Sequence, residues 1–130
     1  MAILPPGVTA EQFEVAIRAF EAAVGRERVF TSDDDLGPSR DSFSTVWNTD
    51  EERRASAALA PDSVEQVQAI VRSASRHRIP LFPISTGKNF GYGGPSPNRH
   101  GSVIVDLKRM NRVIEVDAER HFALVEAGVS

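Results

Sequence analysis

The residues best suited to chemistry lie in a single stretch, Ser85-Thr86-Gly87-Lys88-Asn89-Phe90-Gly91-Tyr92-Gly93-Gly94-Pro95-Ser96-Pro97. Four of the nine glycines in the chain fall between positions 87 and 94. Glycine tolerates positive φ and has no Cβ to keep backbone N–H groups from converging on an anion, so this composition points to a cradle for phosphate oxygens. Ser85, Thr86 and Asn89 would add neutral donors, and Lys88 a positive charge. Two familiar phosphate loops are excluded. A Walker A loop needs a glycine five positions before its Gly-Lys, where Phe82 stands, and a Ser or Thr after the lysine, where Asn89 stands. A dinucleotide fingerprint of the Rossmann kind needs its last glycine to open a helix, yet Gly91-Tyr92-Gly93 runs into Gly94-Pro95-Ser96-Pro97.

Other chemistries are closed off by composition. The chain has no cysteine, which removes disulfides, thiolate nucleophiles and cysteine-ligated metals together. His77, His100 and His121 are too far apart for a helical metal-ligand pair, and no metal site is expected. Fifteen Lys and Arg against eighteen Asp and Glu leave a net charge of -3 without a basic block, which argues against nucleic acid as a partner. No apolar run approaches a membrane span, and Met1 to Gly7 lacks the basic flank of a signal peptide, so a cytoplasmic protein is the default expectation. With 41% hydrophobic and 25% charged residues, a chain of 130 residues can bury the core of one domain.

The elements that must position the loop are readable on both sides of it. Thr9 and Gln12 have capping-box spacing, and Phe13, Ala16, Ile17, Phe20 and Val24 follow at helical intervals up to Gly25. Val29 and Phe30 suit a short strand; Thr31 to Arg54 shows no period and reads mostly as loop, with Trp47 as a plug over the edge of the core. Ala57 to Ala60 reads as a buried strand. Ser63 and Gln66 repeat the capping-box spacing ahead of a helix whose face carries Val64, Val67, Ile70, Val71 and Ala74, with Arg72, Arg76, His77 and Arg78 at its solvated C-terminal end. Ile79 to Ile84 reads as a strand with prolines at its ends, completing a strand-helix-strand unit for which parallel pairing and a right-handed crossover are expected. Beyond the loop, Ser102 to Leu107 reads as a buried central strand, while Arg112 to Asp117 and Phe122 to Glu126 read as half-buried or edge strands joined by a tight hairpin.

The segment Pro83 to Gly94 resembles the pyrophosphate loop of the vanillyl-alcohol oxidase and p-cresol methylhydroxylase family of flavoproteins. The resemblance continues through Leu4-Pro5-Pro6-Gly7-Val8-Thr9, Ser63 to Gln68, Gly101 to Leu107, Met110-Asn111-Arg112 and Val125 to Val129, whereas positions 31 to 55 match poorly. It implies an α+β fold, the first subdomain of a p-cresol methylhydroxylase type (PCMH-type) FAD-binding domain, with a small mixed sheet and two main helices. Residues 1–55 would form an N-terminal helix and irregular arm, and residues 56–130 the truncated FAD-binding domain. The cofactor implied is FAD, held at its pyrophosphate by Ser85, Thr86, Gly87, Lys88, Asn89, Phe90, Gly91 and Tyr92.

The same resemblance implies that Tyr92 also reaches the substrate and binds the phenolate oxygen of a para-alkylphenol. The implied partners are a para-substituted phenol and, in the dehydrogenase branch, a cytochrome c subunit. The family fold needs a second FAD subdomain and a substrate cap, so the chain reads as an N-terminal fragment or a truncated reading frame, and its uncovered apolar surface predicts weak stability or association with itself or with the missing portion. From spacing alone Tyr92 is equally a packed aromatic that pins the loop, and the alternative for the chain is a free-standing α/β module that binds another phosphorylated ligand or a protein partner.

Overall fold

The computed structural model describes residues 3–49, 51–88 and 94–130. Helix α1 spans Ala10–Val24 and begins where the sequence places it. The Thr9 hydroxyl accepts the Gln12 amide at 3.2 Å and the Gln12 side chain accepts the Thr9 amide at 3.0 Å, which satisfies two of the N–H groups that a helix start leaves free. Helix α1 buries Phe13, Ala16, Phe20 and Val24 on one face. Strand β1 (Val29–Phe30) follows, then a short helix α2 (Asp33–Leu36). Helix α2 lies in a stretch expected to be loop; its cap is Ser32, whose hydroxyl accepts the Asp35 amide, and three aspartates fill its first turn, where the helix dipole favours them.

Strand β2 (Ala57–Leu59), helix α3 (Val64–His77), strand β3 (Leu81–Ile84) and strand β4 (Val103–Asp106) complete the main layer. The sheet order is β1-β2-β4-β3, with β2 and β3 both parallel to β4 and β1 antiparallel to β2. The direct pairing expected across the strand-helix-strand unit is therefore corrected: β4 lies between its two strands. The physical reason is burial. Val103, Ile104 and Val105 are at most 4% exposed, so this strand gains most from neighbours on both edges. Strand β3 is left at an edge, where it carries Pro83 inside the strand and not at its end, a position that loses no ladder hydrogen bond if the missing N–H faces outward.

Strand alternation divides the core. Ala57, Leu59, Val103, Val105 and Leu81 face α1 and α3, meeting Phe13, Phe20, Val24, Ile70 and Ala74 in the main cluster. Ala58, Ile104, Phe82 and Ile84 face the other way, where Leu36 and Ala55 pack against them. Two residues predicted to face the core from α3 do not: Val64 and Val71 are 54% and 52% exposed, because α3 meets its neighbours along the narrower stripe of Ile70 and Ala74. Strands β5 (Val113–Asp117) and β6 (Phe122–Val125) form the expected hairpin, but as a separate antiparallel sheet with every apolar residue exposed. They are not half-buried, since no other strand or helix covers them among the described residues. The hairpin is closed at its base by Arg112, whose amide, Nε and second guanidinium nitrogen all donate to the Glu126 carboxylate at 2.6 to 3.0 Å.

Candidate functional site

Parallel neighbours cannot be joined by a tight turn, so the connection from the end of β3 to the start of β4 must travel the length of the sheet. Residues 85–102 make that journey, with no helix among the described residues, and they contain the glycine-rich stretch. Asn89, Phe90, Gly91 and Tyr92, half of the predicted cofactor contacts, lie outside the described residues, as does Gly93. The remaining four are placed. The Ser85 hydroxyl donates to the Ala127 carbonyl and so ties the start of the loop to the turn after β6. Thr86 is half-buried beside it. Gly87 sits at φ +72°, where a Cβ would stand 3.2 Å from Pro95 Cβ and 3.7 Å from Ile84 Cδ1. Glycine is required there by conformation and by contact. Lys88 is exposed.

Gly87 and Lys88 line a cavity of about 990 Å³, together with Gly94 to Asn98 on the returning limb of the loop. Ser85 and Thr86 stand outside that lining. The opposite wall was not anticipated from sequence. It is an arch of residues 40–49 and 51–53, which contributes Arg40, Phe43, Val46 and Arg53 among others.

The arch is closed by one ion pair. Arg40 donates through Nε to Glu52 Oε1 at 2.6 Å and through a terminal nitrogen to Glu52 Oε2 at 2.8 Å, a two-pronged geometry that only a guanidinium provides. Glu52 is 4% exposed and accepts a third hydrogen bond from the Asn48 amide at 2.7 Å. The Arg40 guanidinium holds the Glu52 carboxyl below the ordinary glutamate range, burial opposes the shift, and the Asn48 amide adds to it. Trp47 lies under the guanidinium, 4.2 Å from ring centroid to carbon, and its indole N–H donates to the Asp41 carbonyl at 2.6 Å. At 45% exposed, Trp47 fastens the arch and does not plug the core, a correction that follows from the cation above its ring.

The arch is mounted on the returning limb. Ser96 Oγ donates to the Arg53 carbonyl at 3.1 Å, His100 Nδ1 stands 2.8 Å from the Glu52 carbonyl oxygen, and the Gly101 amide donates to the Arg54 carbonyl at 2.8 Å. The signal for this wall, an Arg and a Glu twelve residues apart, follows no secondary-structure period and so carries no expectation. A smaller cleft of about 250 Å³ beneath α2 offers one carboxylate, Asp33, already paired with Arg54 at 2.9 Å. Among the described residues no cluster of three or more His, Asp or Glu is placed to hold a metal, and no helix is long and apolar enough to cross a membrane.

Three comparisons place this geometry among known proteins. The profile of the FAD binding domain family matches residues 55–130. The flavoprotein subunit of 4-cresol dehydrogenase (hydroxylating) from Pseudomonas putida is 43% identical over 129 residues, which is 99% of this chain and 24% of that protein. A crystal structure of p-cresol methylhydroxylase with substrate bound superposes with a TM-score of 0.92 at 43% identity, over 99% of this chain and 25% of that one. The 4-ethylphenol oxidase of Gulosibacter chungangensis, solved with isoeugenol, gives 0.89 at 44% identity, over 97% and 24%. The chain thus spans about a quarter of the length of these relatives.

Proposed function

The chain belongs to the FAD binding domain family, and we propose that it is the pyrophosphate-holding part of a flavin-dependent oxidoreductase that acts on para-alkylphenols. FAD is its cofactor. The observation that carries the reading is the glycine at residue 87: a backbone at φ +72°, folded so closely on Pro95 and Ile84 that any Cβ would crowd them, keeps the loop compact beside a cavity of about 990 Å³. The donor set suits a diphosphate, with an exposed lysine amine at Lys88 and a loop rich in small residues.

Bound FAD supplies a hydride acceptor. The residues of this chain do the holding: Ser85, Thr86, Gly87, Lys88, Asn89, Phe90 and Gly91 wrap the pyrophosphate, and Ser85, through the Ala127 carbonyl, also fixes the departure of the loop from β3. Tyr92 binds the phenolate oxygen, and a hydrogen bond there favours the ring-delocalised charge that eases hydride loss from the benzylic carbon. The substrate class is supported by the similarity to 4-cresol dehydrogenase and 4-ethylphenol oxidase. A cytochrome c subunit as electron partner belongs to the same reading, supported by the designation of the first of these relatives as a subunit.

The test is titration of FAD with the purified chain, followed by flavin fluorescence and by the visible absorbance of the bound cofactor. Saturable quenching, lost on Gly87→Val, is the expected result. Absent quenching, with binding of an unrelated phosphorylated ligand instead, would reject it.

A further inference from the structure

Phe43 is 94% exposed, more than any other large apolar side chain of the described residues, and yet it stands in the wall of the cavity. Its position is not loose. The Phe43 amide donates to Asp41 Oδ1 at 3.0 Å, the Ser44 amide donates to the Asp41 carbonyl at 3.1 Å, and Trp47 donates to that same carbonyl. Beneath them the buried Arg40–Glu52 pair closes the arch. Burying a carboxylate is costly, and a plain surface loop gains nothing from it. The expenditure makes sense where the shape of the arch matters to something placed against it.

The charges in the cavity wall indicate what that something is. Arg40, Arg53 and Lys88 are matched by Asp41, Glu51 and Glu52, and Arg40 is already consumed by Glu52. The arch side sets Arg40 and Arg53 against Asp41, Glu51 and Glu52, an acidic excess, and so offers less to a phosphate, whose negative charge is better met at Lys88 and the glycines across the cavity. It offers instead an aromatic face and Val46, which suit a flat uncharged ring.

We propose that the arch of residues 40–49 and 51–53 is the second wall of the cofactor cavity, that Phe43 stacks on a planar ring of the bound dinucleotide, and that Arg40 and Glu52 are positioning residues that hold Phe43 toward it. This inference rests on the FAD-binding reading above and adds to it a contact outside the glycine-rich loop.

The experiment compares FAD affinity and thermal unfolding of the ligand-free chain for wild type, Phe43→Ala, Phe43→Tyr and Glu52→Gln. A side chain exposed to 94% contributes nothing to the folded state of the free chain, so Phe43→Ala leaves the unfolding midpoint unchanged and raises the dissociation constant for FAD about tenfold. Phe43→Tyr, which keeps the ring, restores the affinity. Glu52→Gln lowers the midpoint and also weakens FAD, because the arch loses one side of its clamp. ADP and riboflavin phosphate as separate probes tell which ring is stacked: the affinity that falls in Phe43→Ala identifies the adenine or the flavin end. Equal FAD affinity in wild type and Phe43→Ala overturns the proposal while leaving the cofactor assignment intact; failure of wild type to bind FAD removes the assignment itself.

Discussion

Gly87 and Gly101 both hold positive φ, at +72° and +79°, but in surroundings that differ in how far they can yield. A Cβ at residue 101 would overlap the Leu4 carbonyl oxygen, which is backbone and cannot yield. We expect Gly101→Ala to cost more than about 2 kcal/mol in urea unfolding, by strain and overlap together. At residue 87 the nearest atom is a proline side chain at 3.2 Å, so Gly87→Ala should cost about 1 kcal/mol of stability but weaken FAD by more than that loss accounts for. Equal losses in stability and affinity would reduce Gly87 to a turn residue. The density of glycines between 87 and 94 was legible in the sequence because it needs no fold to be noticed. The Ser85 hydroxyl was not, since its partner, the Ala127 carbonyl, is 42 residues away. Trp47 misled for a related reason: a lone indole in a polar stretch suggests a core plug, whereas the guanidinium of Arg40 makes an exposed position favourable.

Helices α1 and α3 were legible because capping residues and a 3.6-residue period report the same boundaries. Phe20 is fully buried between α1 and the sheet, so Phe20→Ala should cost about 3–5 kcal/mol, while Val71→Ala, on the exposed side of α3, should stay within about 0.5 kcal/mol. A large loss at Val71 would show that α3 has a neighbour on that face. The central place of β4 was legible in the continuous Val103-Ile104-Val105 run, but the strands that flank it were not, because the local pattern pairs the two strands of the strand-helix-strand unit directly. The arch was invisible for want of any period, yet it has a pH signature. The folded state holds the Glu52 and Glu126 carboxyls below the ordinary value of 4.5, through Arg40 and Arg112 respectively. Their contribution is therefore complete above that value and disappears as pH falls through the lower folded one. Thermal midpoints measured from pH 7 to pH 3 should fall across that window, and Glu52→Gln should flatten the fall. An unaltered slope in that variant would place the acid sensitivity elsewhere.

For the whole molecule, the decisive imbalance is between its two sheets. Among the described residues the α1 and α3 side of the main sheet is filled, the opposite side has Leu36 and Ala55 over Ile104, and the β5–β6 hairpin carries its apolar residues in the open. Register sharpens this. Val113 pairs with Val125 and Val116 with Ala123, which puts four apolar side chains on one face, while Glu115 and Asp117 oppose Leu124 and Phe122 on the other. An apolar face next to unpaired strand edges favours association with a further strand or a second copy. Among the described residues no helix or further strand covers this face. Expressed by itself, the chain should sediment with a concentration-dependent coefficient. Val116→Lys puts a charge in the middle of the apolar face and should return it to a monomer without lowering its unfolding midpoint, because Val116 is 68% exposed and contributes little burial. Association that survives this substitution would shift attention to the half-covered sheet face around Phe82 and Ile84, where Phe82→Lys is the corresponding test.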